Sequence, residues 1–235
     1  MRHRVTRRPT PTSRAFVSIG AALVLATALA ACGSSSKTSV SPGGSGSTPI
    51  TAPAPSAANP APYPAPSDPM ARAKAAGLVP EDAEQLQYHV HSHLDVFVDG
   101  KHIIVPAGLG IDITNPGVHK FTTDGLPSYG GIAVPCNQAC ISPLHTHDIT
   151  GVLHTESATH KDNTLGQFFI EWNVRLTSTC FASDCAPTKA VAIYVNGTKF
   201  AGDPTTIPLS NLKEIAIIVG TPPAQIPNTF DQSQI

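Results

Sequence analysis

Six histidines fall in two short segments whose spacing suits metal coordination. The first segment reads Tyr88-His-Val-His-Ser-His-Leu-Asp-Val-Phe-Val-Asp-Gly100, and the second reads Leu144-His-Thr-His-Asp-Ile-Thr-Gly-Val-Leu-His-Thr-Glu156. On a β-strand, alternate side chains share a face. His89, His91 and His93 therefore line one face of the first segment, and His145 and His147 one face of the second. Imidazoles arrayed in this way are the donor set of a transition-metal site.

The second segment carries a further expectation. If Thr150-Gly151 is a two-residue turn, His147 lies opposite His154 and His145 opposite Glu156, all on one face. Opposed Cβ atoms lie about 4.5–5.5 Å apart, so paired imidazoles can share an ion at about 2.0–2.1 Å from each nitrogen. The candidate ligands are thus His89, His91, His93, His145, His147, His154 and Glu156, forming one joint site or two. Asp95 and Asp148 are cast as groups that orient imidazole N–H. The scattered His102, His119 and His160 read as surface residues. Imidazole-rich sites suit copper or zinc. With Met1 and Met70 the sole methionines, a methionine-rich Cu(I) site is excluded. The His/Glu spacing of a cupin site is not matched.

The elements that must hold these residues follow from pattern and turn chemistry. Proline followed by acids predicts a short helix over 80–87. A strand over 88–98 meets Asp99-Gly100, a strong hairpin signal, and returns over 101–105, with Val98 opposite Lys101 and Phe97 opposite His102. Its apolar face (Val90, Leu94, Val96, Val98) is the expected core side, and its histidine face the partly open one. Residues 107–143 read as loop, with short strands near 111–114 and 132–134. Thr164 caps a helix over 165–175 whose Leu165, Phe168, Phe169 and Trp172 form one apolar stripe. A strand over 189–195, an Asn196-Gly197 turn, its partner over 198–201 and a buried strand over 214–219 complete the chain. The fold class is α+β: a mainly antiparallel sheet of hairpins with one docked helix. The half after His145 resembles a β-grasp unit in the order of its elements.

The remainder of the sequence speaks to location. Five arginines and then a small-apolar run over 15–31 have the anatomy of a signal peptide. The run ends Leu29-Ala30-Ala31-Cys32, which resembles the lipobox of bacterial lipoproteins. That resemblance implies cleavage after residue 31 and lipidation of Cys32, which would anchor the protein to the cell membrane. Removing those five arginines from fifteen basic residues leaves ten against sixteen acidic ones, a formal charge of −6. No basic patch remains for nucleic acid. Residues 32–70 are rich in Ser, Gly, Pro and Ala and read as a disordered tether, and 71–235 as a single domain. Cys136/Cys140 and Cys180/Cys185 form close pairs, expected outside the cytosol as local disulfides, with crossed pairing as the competitor. The Cys-x-x-x-Cys spacing also resembles the copper site of Sco-type chaperones, although no βαβ pattern surrounds it.

Taken together, the two histidine motifs and the following Thr164-Leu-Gly-Gln-Phe-Phe-Ile-Glu-Trp resemble a His-rich domain of exported and membrane-anchored microbial proteins. The resemblance spans about 88–227 and implies one unit, but it supplies no mechanism. The leading expectation is a lipid-anchored, extracytoplasmic protein that captures, buffers or delivers copper or zinc. The alternatives are a metalloenzyme using the His/Glu site and a binding module with a pH-sensitive histidine cluster. Neither Gly-x-Ser-x-Gly nor His-Glu-x-x-His is present, so the enzyme reading has no supporting motif.

Overall fold

The structure, a computed structural model, describes residues 61–123, 125–132 and 135–235. The expected leader, Cys32 and most of the tether lie outside the described residues. In chain order the elements are α1 (Pro69–Ala75), β1 (Tyr88–Val98), β2 (Lys101–Ile103), β3 (His119–Thr123), β4 (Leu126–Gly130), β5 (Leu144–His145), β6 (Val152–Ser157) and β7 (Asn163–Thr164). Then come α2 (Leu165–Trp172), β8 (Cys180–Phe181), β9 (Asp184–Cys185), β10 (Val191–Val195), β11 (Thr198–Phe200), β12 (Pro208–Leu209) and β13 (Lys213–Val219). This is the expected α+β architecture, dominated by β-hairpins.

β1 organises the main sheet, whose order is β11-β10-β13-β1-β6-β5. The strand is long enough to take two partners along one edge. Its first half pairs with β6 and its end with β2, while β13 runs parallel along the other edge. The Asp99-Gly100 turn forms as expected, with φ of 48° and 76° and Val98 opposite Lys101. The half of the chain after His145 does not close into one continuous sheet by itself: β10, β11 and β13 pair together, but β1 enters between β13 and β6.

One face of the sheet buries Leu94, Val96, Leu153, Ile215 and Ile217 against α2. Thr164 caps that helix in a capping box with Gln167, and all four residues of the predicted stripe are buried. The helix stops at Trp172 rather than 175, because Asn173 adopts a left-handed conformation that closes its C-terminus. Trp172 is core, as its spacing predicts, and its indole N–H donates to the Tyr63 carbonyl at 2.8 Å. Among the described residues, Tyr63 and Ala65 also pack against this core. Removing a side chain of this size from a core costs about 3–5 kcal/mol.

The opposite face, expected to be partly open, is open only at its start, around His89. His93, Asp95 and Phe97 are buried there alongside Ala216 and Ile218, covered by Ile226 and Phe230 of the C-terminal segment.

Three further expectations change. Residues 80–87 form no helix. Glu81 instead pairs with Ile141, and the Glu81 and Asp82 carbonyls accept N–H groups from Cys140 and Cys136 at 2.8 and 2.7 Å. These tertiary hydrogen bonds outweigh a weak local propensity. Residues 111–114 contribute one bridge, Ile111 to Ile141, and then turn as the Asp112 carboxylate accepts from the Thr114 N–H. Residues 133–134 of the other expected short strand lie outside the described residues. The β3–β4 hairpin occupies a stretch read as loop.

Candidate metal centre

The two histidine motifs meet edge to edge. β1 pairs with β6 so that His91 lies opposite His154 and His89 opposite Glu156. β5 adds His145 on the other side of His154. The expected pairing of His147 with His154 and of His145 with Glu156 is corrected here by two residues. The chain between β5 and β6 is a wider loop. The Asp148 carboxylate accepts from the Thr150 N–H and hydroxyl, and the Gly151 carbonyl accepts from Leu94 N–H. A slip of two preserves the face on which side chains point, so His145, His147, His154 and Glu156 still converge.

Glu156 is the hub. Its Oε1 lies 3.1 Å from His89 Nε2, 3.4 Å from His154 Nδ1, 3.7 Å from His145 Nε2 and 4.0 Å from His147 Nε2. Two donors bound tetrahedrally to one ion at about 2.0–2.1 Å each stand about 3.3 Å apart. The observed separations bracket that value. The donor atoms of His145, His147, His154 and Glu156 all lie within 4.8 Å of one another.

Backbone carbonyls aim two of the rings. His145 Nδ1 faces the Ser142 carbonyl at 2.9 Å, and His147 Nδ1 faces that of Tyr129 at 2.5 Å. A carbonyl can only accept, so both Nδ1 atoms carry the proton and both Nε2 lone pairs are left to face Glu156. Gly130 makes room for this: it sits at φ 147°, and a Cβ there would collide with His147 Nδ1. Among the described residues, His145 Nε2, His154 Nδ1 and Glu156 Oε2 are buried with no hydrogen-bond partner. Three such atoms around one point are costly unless a cation satisfies them.

The electrostatics suit that role. Burial, and then the neighbouring His147, hold His145 and His154 well below the usual histidine range. Burial and His89 lower His91 to about 4. Neutral imidazole is the form that binds metal. Burial lifts Glu156 to about 8, helped by the charges of Glu84 and Glu81. Residues 81 and 84, read from the sequence as the first turn of a helix, thus stand near the site as additional anionic charge.

The remaining members of the first motif belong elsewhere. His93 Nδ1 lies 3.0 Å from Glu214 Oε2, and its Nε2 lies 2.8 Å from the Thr150 carbonyl. Two acceptors require two N–H groups, so His93 is an imidazolium with no lone pair for a metal. Burial opposes that charge, but the Glu214 hydrogen bond and charge, with Asp95, overcome it and raise His93 to about 9. Glu214 itself is lifted to about 7 by burial, against the pull of His93. The two ring contacts decide for the ion pair. Asp95 orients an imidazole as expected, but that of His102, which it meets at 3.0 Å, and not one of the converging cluster; its other oxygen faces the His93 charge at 3.6 Å. His102 is therefore part of a buried network and not a surface residue. His119 and His160 are exposed, with His160 stacked on Tyr88. Asp148 braces its own loop and orients no histidine.

The cysteines close as the two local disulfides, Cys136–Cys140 and Cys180–Cys185. With both sulfurs of the first pair bonded to each other and buried, the Sco-like copper reading has no donor. Glu84, Gly130, Ser142 and Glu214 were not singled out as site residues from the sequence. Glu84, Gly130 and Glu214 carry no local signal, because each reaches its cluster through tertiary pairing, whereas Ser142 meets His145 from three residues away through its backbone carbonyl, which any residue type could supply. The chain matches no family model, no curated protein and no solved structure.

Proposed function

We propose that this protein is an extracytoplasmic metal carrier that holds a copper or zinc ion at His145, His147, His154 and Glu156. The observation that carries the reading is the trio of buried, unpartnered donor atoms on His145, His154 and Glu156. Capture, buffering or delivery fits a site that solvent reaches: the side chains of His147 and His89 are 23 % and 34 % exposed. The two disulfides support an oxidising compartment, and no helix among the described residues is long and apolar enough to cross a membrane. The leader and Cys32 support attachment through lipid.

The test is direct. Full chain stripped with chelator and reloaded with Cu(II) or Zn(II) should retain the ion stoichiometrically through gel filtration and melt at a higher temperature than the apo form. A H145A/H147A variant should lose both properties. A parent chain that retains no metal would overturn the reading. For the anchor, Cys32→Ser should move the protein from the membrane fraction to the soluble one, and continued membrane retention would refute lipid attachment.

A further inference from the structure

The cluster holds more donors than one ion needs. Five imidazoles and the Glu156 carboxylate gather here, whereas a zinc or copper ion in an imidazole-rich site takes about four donors. Their arrangement is not a single shell. His145 and His147 form one pair, with ring centroids 4.8 Å apart, and His89 and His91 another at 4.5 Å. His154 stands between the pairs, 4.2 Å from His147 and 4.5 Å from His91. The donor atoms of His89, His91 and His154 lie within 4.8 Å of one another, as do those of His145, His147, His154 and Glu156. The two compact donor groups therefore share His154, and Glu156 Oε1, 3.4 Å from His154 and 3.1 Å from His89, completes a common edge between them.

We propose that this edge is the bridge of a dinuclear centre. An inner ion is held by His145 and His147, an outer ion by His89 and His91, and the Glu156 carboxylate spans the two beside His154. This deepens the single-ion reading above and rests on it. The carboxylate is placed for such a role: its Oε1 faces both groups, 3.1 Å from His89 Nε2 on one side and 3.7 and 4.0 Å from His145 and His147 Nε2 on the other, while Oε2 is buried and unpartnered. Ions in two-metal sites stand about 3.5–4 Å apart, a span one carboxylate bridges. Two cations in proximity need more negative charge than one glutamate brings. Glu84 stands ready to supply it, its Oε1 held by the Gly131 N–H at 2.9 Å beside the His147 ring. The two positions also differ in enclosure. His145 is fully buried, whereas the His89 side chain is 34 % exposed. The inner ion is the retained one and the outer ion the exchangeable one, which is the division a carrier requires.

The experiment counts ions. Full chain is saturated with Cu(II), freed of excess, and measured by mass spectrometry and by electron paramagnetic resonance. Two ions per chain are expected, with a spin signal weakened by coupling between them. One ion should leave rapidly to a competing chelator and one slowly. H89A/H91A should bind one ion with an isolated Cu(II) signal, and the milder H89Q/H91Q should do the same with the parent's circular dichroism retained. A parent chain that binds no ion defeats the carrier reading itself. A parent that binds one ion defeats only the dinuclear proposal, whether H89A/H91A then keeps that ion or loses it. Two ions in the parent that persist in both variants place the second ion elsewhere and also defeat it.

Discussion

Two ends of one strand face carry the same residue type to opposite purposes. At the start of β1, His89 and His91 join His145, His147 and His154 around a carboxylate, and three buried donor atoms there have no partner. Two residues further along the same face, His93 has a partner for each ring nitrogen, in Glu214 and Thr150. In the first cluster burial disfavours the charged form of His89, His91, His145 and His154, around an acid lifted to about 8. The second is an imidazolium locked between carboxylates. What separates them is the neighbouring strand. β6 and β5 bring more histidines to the first end, while β13 brings Glu214 to the second. Histidine on a strand face is therefore a candidate ligand or a structural cation according to what the adjacent strand places opposite it.

The comparison breaks most forcefully at Glu214. Glu214→Gln removes the main counter-charge of a buried imidazolium, a change that costs about 3 kcal/mol of unfolding free energy, towards the low end for broken buried pairs because Asp95 remains 3.6 Å away. Chemical denaturation should show that loss while Cu(II) binding at the other end stays unchanged. Equal loss of metal would mean that the two clusters are one. The same pair sets a pH window. The folded pKa of His93, about 9, lies above the usual histidine value of about 6.5. Its stabilisation is therefore complete below about pH 6.5 and is lost as pH rises to about 9. Glu156 and Glu171, both lifted to about 8 by burial, act in the same direction above their ordinary range. Apo protein in chelator should lose stability between pH 6.5 and 9, and Glu214→Gln should flatten part of that slope.

At the other end, Gly130→Ala should drive its new methyl into His147 and weaken metal binding about 10–100-fold, as lost orientation of a ligand does. Competition titration reads this, and an unchanged affinity would show that His147 is not held as described. His102→Ala should cost about 1–3 kcal/mol, because it strips Asp95 of its closest partner. Glu156→Gln should have the smallest effect on the apo fold, about 1 kcal/mol or less, since that acid is largely protonated near neutral pH. It should nevertheless abolish the stabilisation that metal confers. A large apo destabilisation would instead assign Glu156 the structural role that Glu214 plays.

Much of the frame was legible before any coordinates. Alternation in 88–98 gives β1 with its bounds, Asp99-Gly100 gives its turn and register, and Thr164 gives the start of α2. Those features are local, because turn type and side-chain period act within a few residues. The acidic run at 81–84 misled, since a carboxylate suits a helix start equally well as a site rim, and only the backbone pairing with Ile141 decides. The β5–β6 register was misread by two residues, yet the face was right, because the side-chain period of a strand is two.

From the sequence alone came the ligand types, their strand faces and the close cysteine pairs, since each rests on covalent spacing and the geometry of an extended chain. Tertiary structure alone decided that β6 lies against β1, that Glu156 sits at the centre of the histidines and that His93 is bound to Glu214. Those outcomes depend on which distant strands become neighbours. That choice is set by burial of the whole sheet against α2 and the C-terminal segment, to which the apolar residues between the histidines contribute, and not by the histidines themselves.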